Sequence, residues 1–216
     1  MDFCDSIIIA DRMVKVIYIE NAQALAQDMF GGAVAAEELS AAAGALAGSI
    51  LRASVWKQTE LRIEIQHLYI AEYTLMFRKD EANRLYIWND RIEKRFDAPK
   101  GALLDCHLSQ VKNAPRLGVQ RLELYAAGNR NDTRYNGYFV WPLYGYDAKL
   151  TRAEQLLLTN ELVGVQTIQE IFARGGEEWW SQHGDGRKMV FDLAPDSQMS
   201  KRLQVYLRMK QRGRIL

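Results

Sequence analysis

The chain has 216 residues, 48% of them hydrophobic and 25% charged, with a formal net charge of +1. That is the composition of a globular protein with a substantial core. A total charge this close to zero argues against the dense basic surface of a nucleic-acid binder.

Two cysteines, Cys4 and Cys106, stand far apart in the sequence, which argues against both a disulfide framework and a zinc finger. No apolar run approaches the ~20 residues of a membrane span. The first residues, Met1-Asp2-Phe3-Cys4-Asp5, are acidic where a signal peptide is basic. The expectation is a cytoplasmic protein with no membrane partner. Charge is unevenly spread: acids dominate residues 1–50, and Lys201, Arg202, Arg208, Lys210, Arg212 and Arg214 close the chain without an acid among them.

In chain order, Ile7-Ile8-Ile9 and Val14 to Ile19 are β-rich runs. Asn21 is placed to cap a helix over Ala22 to Phe30, and Gly31-Gly32 breaks it. The small residues between Ala33 and Ala53 predict a second, closely packed helix. Leu61, Ile63 and Ile65 alternate with Arg62, Glu64 and Gln66, the period of a strand with one buried face. Tyr73 to Arg78 predicts another strand, and Asn89-Asp90 predicts a hairpin turn between Arg84–Trp88 and Arg91–Phe96.

Asp97 and Pro99 predict a helix start near Ala98, with Leu103, Leu104, His107, Leu108 and Val111 on one face as far as Pro115 to Gly118. A strand from Arg121 to Ala127 and an aromatic loop from Asn136 to Asp147 follow. Thr151-Arg-Ala-Glu154 is a capping box opening a helix to about Arg174. Lys188 to Leu193 predicts a last strand, and Ser197 caps a final helix. Few prolines and evenly spread turn residues favour one compact α/β arrangement, with residues 1–150 as a core and 151–216 as an extension packed on it.

The start of the helix after Asp97 offers free N–H groups and the positive end of the helix dipole to a phosphate, with Lys100 adding charge and Gly101 allowing close approach. An ordinary capped helix start accounts for the same residues. Glu93 and Glu123 lie on strands before and after that helix as candidate acid–base groups; a solvated strand face is the plain alternative for each. His67, His107 and His183 share no metal-site spacing and stand beside no nucleophile elbow, so the sequence predicts no metal. The aromatic residues at 135–146 and Trp179-Trp180 suit a pocket wall or a packed core.

The order of elements resembles the GNAT superfamily of acyl-CoA-dependent N-acyltransferases over roughly residues 14–150. A first strand and two helices precede an antiparallel meander, a phosphate-binding helix, a further strand, and a segment ending in Gly145-Tyr146. The resemblance implies a GNAT-like α/β fold with a central, mostly antiparallel sheet flanked by helices. It also implies acetyl-CoA or another acyl-CoA as cosubstrate and a small-molecule or protein amine as acceptor. By the same resemblance, Lys100, Gly101, Ala102, Leu103 and Asn129 bind the cosubstrate, and Glu93, Glu123 and Tyr138 carry the chemistry.

The family's phosphate loop, Gln/Arg-x-x-Gly-x-Gly/Ala, falls on Phe96, Pro99 and Gly101 in one register and on Asp97, Lys100 and Ala102 in the next. The tyrosine that many members place four residues before the closing glycine is Trp141, so the general acid moves to Tyr138, Tyr135 or Tyr144. These departures keep a second expectation open: an inactive GNAT-like protein that binds a protein partner through its aromatic loop and charged ends.

Overall fold

The structure, a computed structural model, describes residues 14–131 and 134–211. It is a mixed α/β protein in which all but one of the strand pairs described below are antiparallel. The Ile7–Ile9 run, Cys4, and Arg212 and Arg214 lie outside the described residues. The chain divides into two compact units, one ending at Gln120 and the next starting at Arg121, where the sequence reading put the division after Leu150.

The first unit runs β1 (Lys15–Tyr18), α1 (Ala22–Phe30), α2 (Ala36–Ala42), then a meander of β2 (Ile50–Trp56), β3 (Glu60–Gln66), β4 (Ile70–Lys79) and β5 (Leu85–Lys94), and ends on α3 (Ala102–Asn113). β1 pairs parallel with β2, Lys15 opposite Ile50, and the meander strands pair antiparallel. Ala22, Ala26 and Met29, at helical spacing, are the buried residues of α1. The helix stops at Gly31, whose φ of 76° lets its N–H close on the carbonyl of Gln27. Asn21 precedes the helix without making a side-chain cap bond.

The predicted second helix is half helix and half strand. α2 ends at Ala42, and β2 occupies residues 50–56, with Leu51 and Ala53 fully buried and Arg52 exposed. The reason lies at Gly44: its φ is +77°, and a Cβ there would sit 2.6 Å from the carbonyl oxygen of Cys106. The chain turns where α3 presses against it, and the alanine-rich composition has no bearing on that close approach. Beyond the turn, β-branched Ile50 and Val55 fit the pleated strand.

The hairpin expected at Asn89-Asp90 is instead a bulge inside one continuous strand. Thr74 lies opposite Arg91 and Leu75 opposite Asn89, so Asp90 is the extra residue. Asn89 faces inward and finds partners on α3, while Asp90 accepts from the indole N–H of Trp88 at 3.1 Å. A turn there would forfeit both arrangements.

Leu61, Ile63 and Ile65 are 0–4% exposed on the face that α1 and α2 cover, and Phe30 of α1 meets Phe77 of β4 edge-on at 5.1 Å. The opposite face carries Trp56, Arg62, Arg78 and Trp88. There Arg62 lies over the Trp56 ring at 5.4 Å and Arg78 over Trp88 at 5.8 Å.

The second unit pairs β6 (Arg121–Asn129) antiparallel with β7 (Asp185–Asp192), Leu122 opposite Phe191 and Leu124 opposite Met189. Between them come α4 (Gly137–Leu143), α5 (Arg152–Leu156), α6 (Ile168–Ala173) and α7 (Glu177–His183); α8 (Gln198–Gln211) follows β7. The aromatic segment read as a loop is therefore largely helix. The single helix read from 151 to 174 is broken: the capping box of Thr151 and Glu154 is present, but α5 stops at Leu156. Gly164, at φ +87°, separates it from α6, which has its own cap in the Thr167 hydroxyl accepting from the N–H of Glu170. Among the described residues no helix is long and apolar enough to cross a membrane.

Truncating a fully buried side chain removes both its transfer energy and its packing, whereas a half-exposed ion-paired side chain such as Arg62, 2.8 Å from Glu64, contributes little. Ile63→Ala is expected to lower the unfolding free energy by about 2–5 kcal/mol, and Arg62→Ala by less than about 1 kcal/mol, as read from urea denaturation midpoints.

Candidate functional site

In the first unit the sequence-predicted residues cluster at one end of β5 and the start of α3. Glu93 is exposed on β5, opposite Glu72 of β4, and Glu72 is itself paired with Arg91 at 3.1 Å. Like charges facing each other across a ladder are unfavourable, so Arg91 relieves the Glu72 side of that pair. The strand then gives way to an exposed loop in which Phe96 is fully solvated and Asp97 meets the guanidinium of Arg95 at 3.5 Å.

The helix begins later than Asp97 predicts. Gly101 is the N-cap residue at φ +96°, Asp97 makes no cap, and α3 starts at Ala102. A glycine is needed because the chain reverses through a left-handed conformation there. Lys100 is exposed beside it, Ala102 is 3% exposed, Leu103 is half-buried and Leu104 is fully packed. The N–H groups of the first turn of such a helix have no partner inside it.

Behind this surface lies a buried polar clasp that sequence reading missed. The side-chain amides of Asn89 and Gln110 exchange two hydrogen bonds, of 3.2 Å and 2.9 Å. Gln110 also donates to the carbonyl of Ala43 at 3.3 Å, and Tyr73 donates to the same carbonyl at 2.9 Å. Ser109 adds a bond from α3 to the carbonyl of Ala41 at 2.9 Å. The only signal in the sequence is that Asn89 and Gln110 stand at positions where their apolar neighbours face inward.

Cys106 is fully buried on α3, and burial, with the nearby charge of Asp105, pushes its thiol up to about 12. The thiolate required of a nucleophile is therefore not formed at neutral pH. His67 is held between the carbonyl of Ala47 at 3.1 Å and the N–H of Tyr69 at 3.2 Å.

In the second unit Glu123 is 4% exposed on β6, with one oxygen on Arg121 and the other on Lys188, both at 2.7 Å. Burial pushes its carboxyl up, but the hydrogen bonds and charges of Lys188 and Arg121 outweigh that and hold it below the usual glutamate range. A carboxylate so stabilised as the anion is a weak base. Asn129, at the end of β6, accepts from the N–H of Asn131 at 2.8 Å.

Tyr138 is 8% exposed on α4, and its hydroxyl donates to the carbonyl of Ser181 at 3.0 Å. Burial raises its pKa, so it stays protonated at neutral pH. Trp141 packs edge-on against Tyr144 at 5.7 Å and Tyr146 at 5.3 Å, while Tyr135 is 43% exposed. The closing Gly145 has a packing reason of its own: at φ +99°, a Cβ would lie 2.5 Å from the carbonyl oxygen of Met199.

Two further carboxylates emerge here, Glu154 buried and Asp147 half-buried. Glu154 closes the capping box and also takes a two-pronged ion pair from Arg187, whose guanidinium lies 5.1 Å from the Trp180 ring centre. Asp147 accepts from the N–H groups of Ala148 at 2.8 Å and Gln169 at 3.0 Å. Burial nevertheless raises its pKa. His183 stacks on Trp179 at 4.6 Å, an aromatic contact that accounts for its place.

Glu123 has a folded pKa below its unfolded value of about 4.5, so its contribution to stability is fully present above that pH and is lost as pH falls through the lower, folded value. Glu123→Gln is expected to lose about 2–3 kcal/mol at neutral pH. Its urea midpoint should then fall less steeply than that of the unaltered protein as pH drops below 4.5. Parallel acid limbs would show that the ion pairs contribute nothing.

Comparison of the chain with protein-family models, with curated protein sequences and with solved structures finds no match in any of the three.

Proposed function

We propose that this protein transfers an acyl group from acyl-CoA to an amine. What carries the reading is the end of the first unit, where a bulged strand leads into a loop and then into a twelve-residue helix with a left-handed glycine at its N-cap. The bulge at Asp90 interrupts the ladder, which frees backbone groups to polarise a thioester carbonyl. Lys100 and the N–H groups of Ala102 and Leu103 suit a pyrophosphate. Arg95 offsets the negative charge that Asp97 brings to that loop.

In this reading the amine loses a proton to Glu93 directly or through water and attacks the thioester carbonyl carbon. The tetrahedral adduct then collapses, the carbon–sulfur bond breaks, and the coenzyme A thiolate departs and takes up a proton. Glu93 is the better candidate for the base because it is exposed, whereas both oxygens of Glu123 are committed to cations. Within the second unit Tyr138 keeps its proton but has already donated its hydroxyl to Ser181.

A second reading is favoured by those same commitments. With Glu123 ion-paired, Tyr138 hydrogen-bonded and Trp141 packed against two tyrosines, the second unit supports a non-enzymatic protein that binds a partner.

Calorimetric titration with acetyl-CoA and with free coenzyme A separates the two. The acyltransferase reading expects saturable heat with both ligands; absence of heat and of any thermal shift at millimolar ligand sinks it. Lys100→Ala is expected to weaken binding at least about fivefold without altering thermal stability, because an exposed phosphate contact contributes about 1 kcal/mol or more. Glu93→Gln should lower kcat about a hundredfold or more while leaving acetyl-CoA affinity and the melting temperature in place. Unchanged turnover would move the base elsewhere.

A further inference from the structure

A groove of about 410 Å³ opens in the first unit at the other end of the meander, bordered by α1, the β2–β3 turn, and the adjoining ends of β4 and β5. Its size falls within the range of small-molecule sites. Glu93 lies opposite Glu72 of β4, and the groove is lined at Arg78 and Lys79, so the groove lies roughly 20 Å along the strand from the Glu93 end. It is therefore separate from the surface assigned above to acyl transfer.

The groove's charges are arranged in two kinds. Arg78 and Glu60 are bonded to each other at 2.8 Å and largely covered, with Arg78 further fixed by the Trp88 ring and by the sulfur of Met76 at 3.2 Å. These two are already satisfied and form a rigid floor. Asp28 of α1 and Lys79 at the end of β4 are exposed, lie on different elements and, among the described residues, make no ion pair. One anion and one cation are thus left open at the same groove. Met29 supplies an apolar wall and Tyr86 an aromatic one.

The rim is shaped by the hairpin turn between β2 and β3. Lys57 and Gln58, in the turn between β2 and β3, have φ of 47° and 65°, a left-handed conformation that neither side chain favours. Gln58 lines the groove. A tight hairpin requires positive φ at its central residues, and this one closes between Trp56 and Glu60, which face each other across the ladder. Here it brings a carboxamide, donor and acceptor at once, to the mouth of the groove.

We propose that this groove binds a free α-amino acid, with the ligand's carboxylate on Lys79 and Gln58, its ammonium on Asp28, and an apolar side chain against Met29 and Tyr86. One open cation and one open anion select a zwitterion over either single charge, since a ligand lacking one charge forgoes one of the two charge-assisted contacts.

The test is calorimetric titration of the full chain with L-leucine, with L-leucinamide, which lacks the carboxylate, and with isocaproate, which lacks the ammonium. Leucine is expected to bind saturably, and each half-charged analogue at least about tenfold more weakly. Lys79→Gln and Asp28→Asn, both at exposed positions, should each weaken leucine about tenfold while keeping the far-ultraviolet dichroism and the melting temperature of the parent. No saturable heat with leucine, equal affinity for an analogue, or full affinity in both variants would overturn the proposal. Because the groove and the α3 surface are at opposite ends of the meander, acetyl-CoA titrations of the same variants should match the parent whichever way the leucine result falls.

Discussion

In the first unit the exchange of hydrogen bonds between the amides of Asn89 and Gln110 fixes what surrounds it. A carboxamide carries two donors and an acceptor, and burying one unpaired costs about 1–3 kcal/mol. Placed opposite each other between β5 and α3, these two satisfy most of that demand, and the carbonyl of Ala43 and the hydroxyl of Tyr73 complete it. The arrangement holds in one register of strand and helix, because a slip by one residue would turn Asn89 to the other face. The bulge at Asp90, the left-handed turn at Gly44 and the place where α3 begins are all consistent with that single setting.

The second unit is organised by charges in place of amides. Glu123 and Glu154 are both buried, both ion-paired to arginine, and both held below the ordinary glutamate range against the opposing effect of burial. Asp147, bonded mainly to neutral groups, is shifted the other way. Three carboxylates, two buried and one half-buried, thus divide according to their partners. Removing one partner of a pair at this depth leaves an uncompensated buried charge, so these pairs tie together a unit built from short helices that local sequence alone would not hold in place.

What was legible in the sequence was what depends on neighbours along the chain. The alternation of β3, the helix from Ala22 to Phe30, and the capping box at Thr151 rest on spacings of two to four residues, and each is found where those spacings put it. The misread stretches share a different cause. The helix expected through Ala53 ends because Cys106 approaches Gly44, and the turn expected at Asn89-Asp90 is a strand because Gln110 lies opposite. Both causes lie far along the chain, beyond the reach of propensity. The candidate site divides the same way: a helix near Lys100 was visible, though placed from Asp97 and Ala98 where it starts at Ala102 behind Gly101, while the ionic partners of Glu123 on another strand were not visible.

The parallel pairing of β1 with β2 bears on how the chain folds. β2, β3, β4 and β5 are joined by tight turns, so each addition to the meander closes a short loop and loses little entropy. β1 must wait for both α1 and α2, because Lys15 finds Ile50 only after the intervening chain has doubled back. Pairings of long sequence separation form late and set the pace of folding. The meander closes through local turns alone, whereas β1, four residues long, depends on a pairing across both helices.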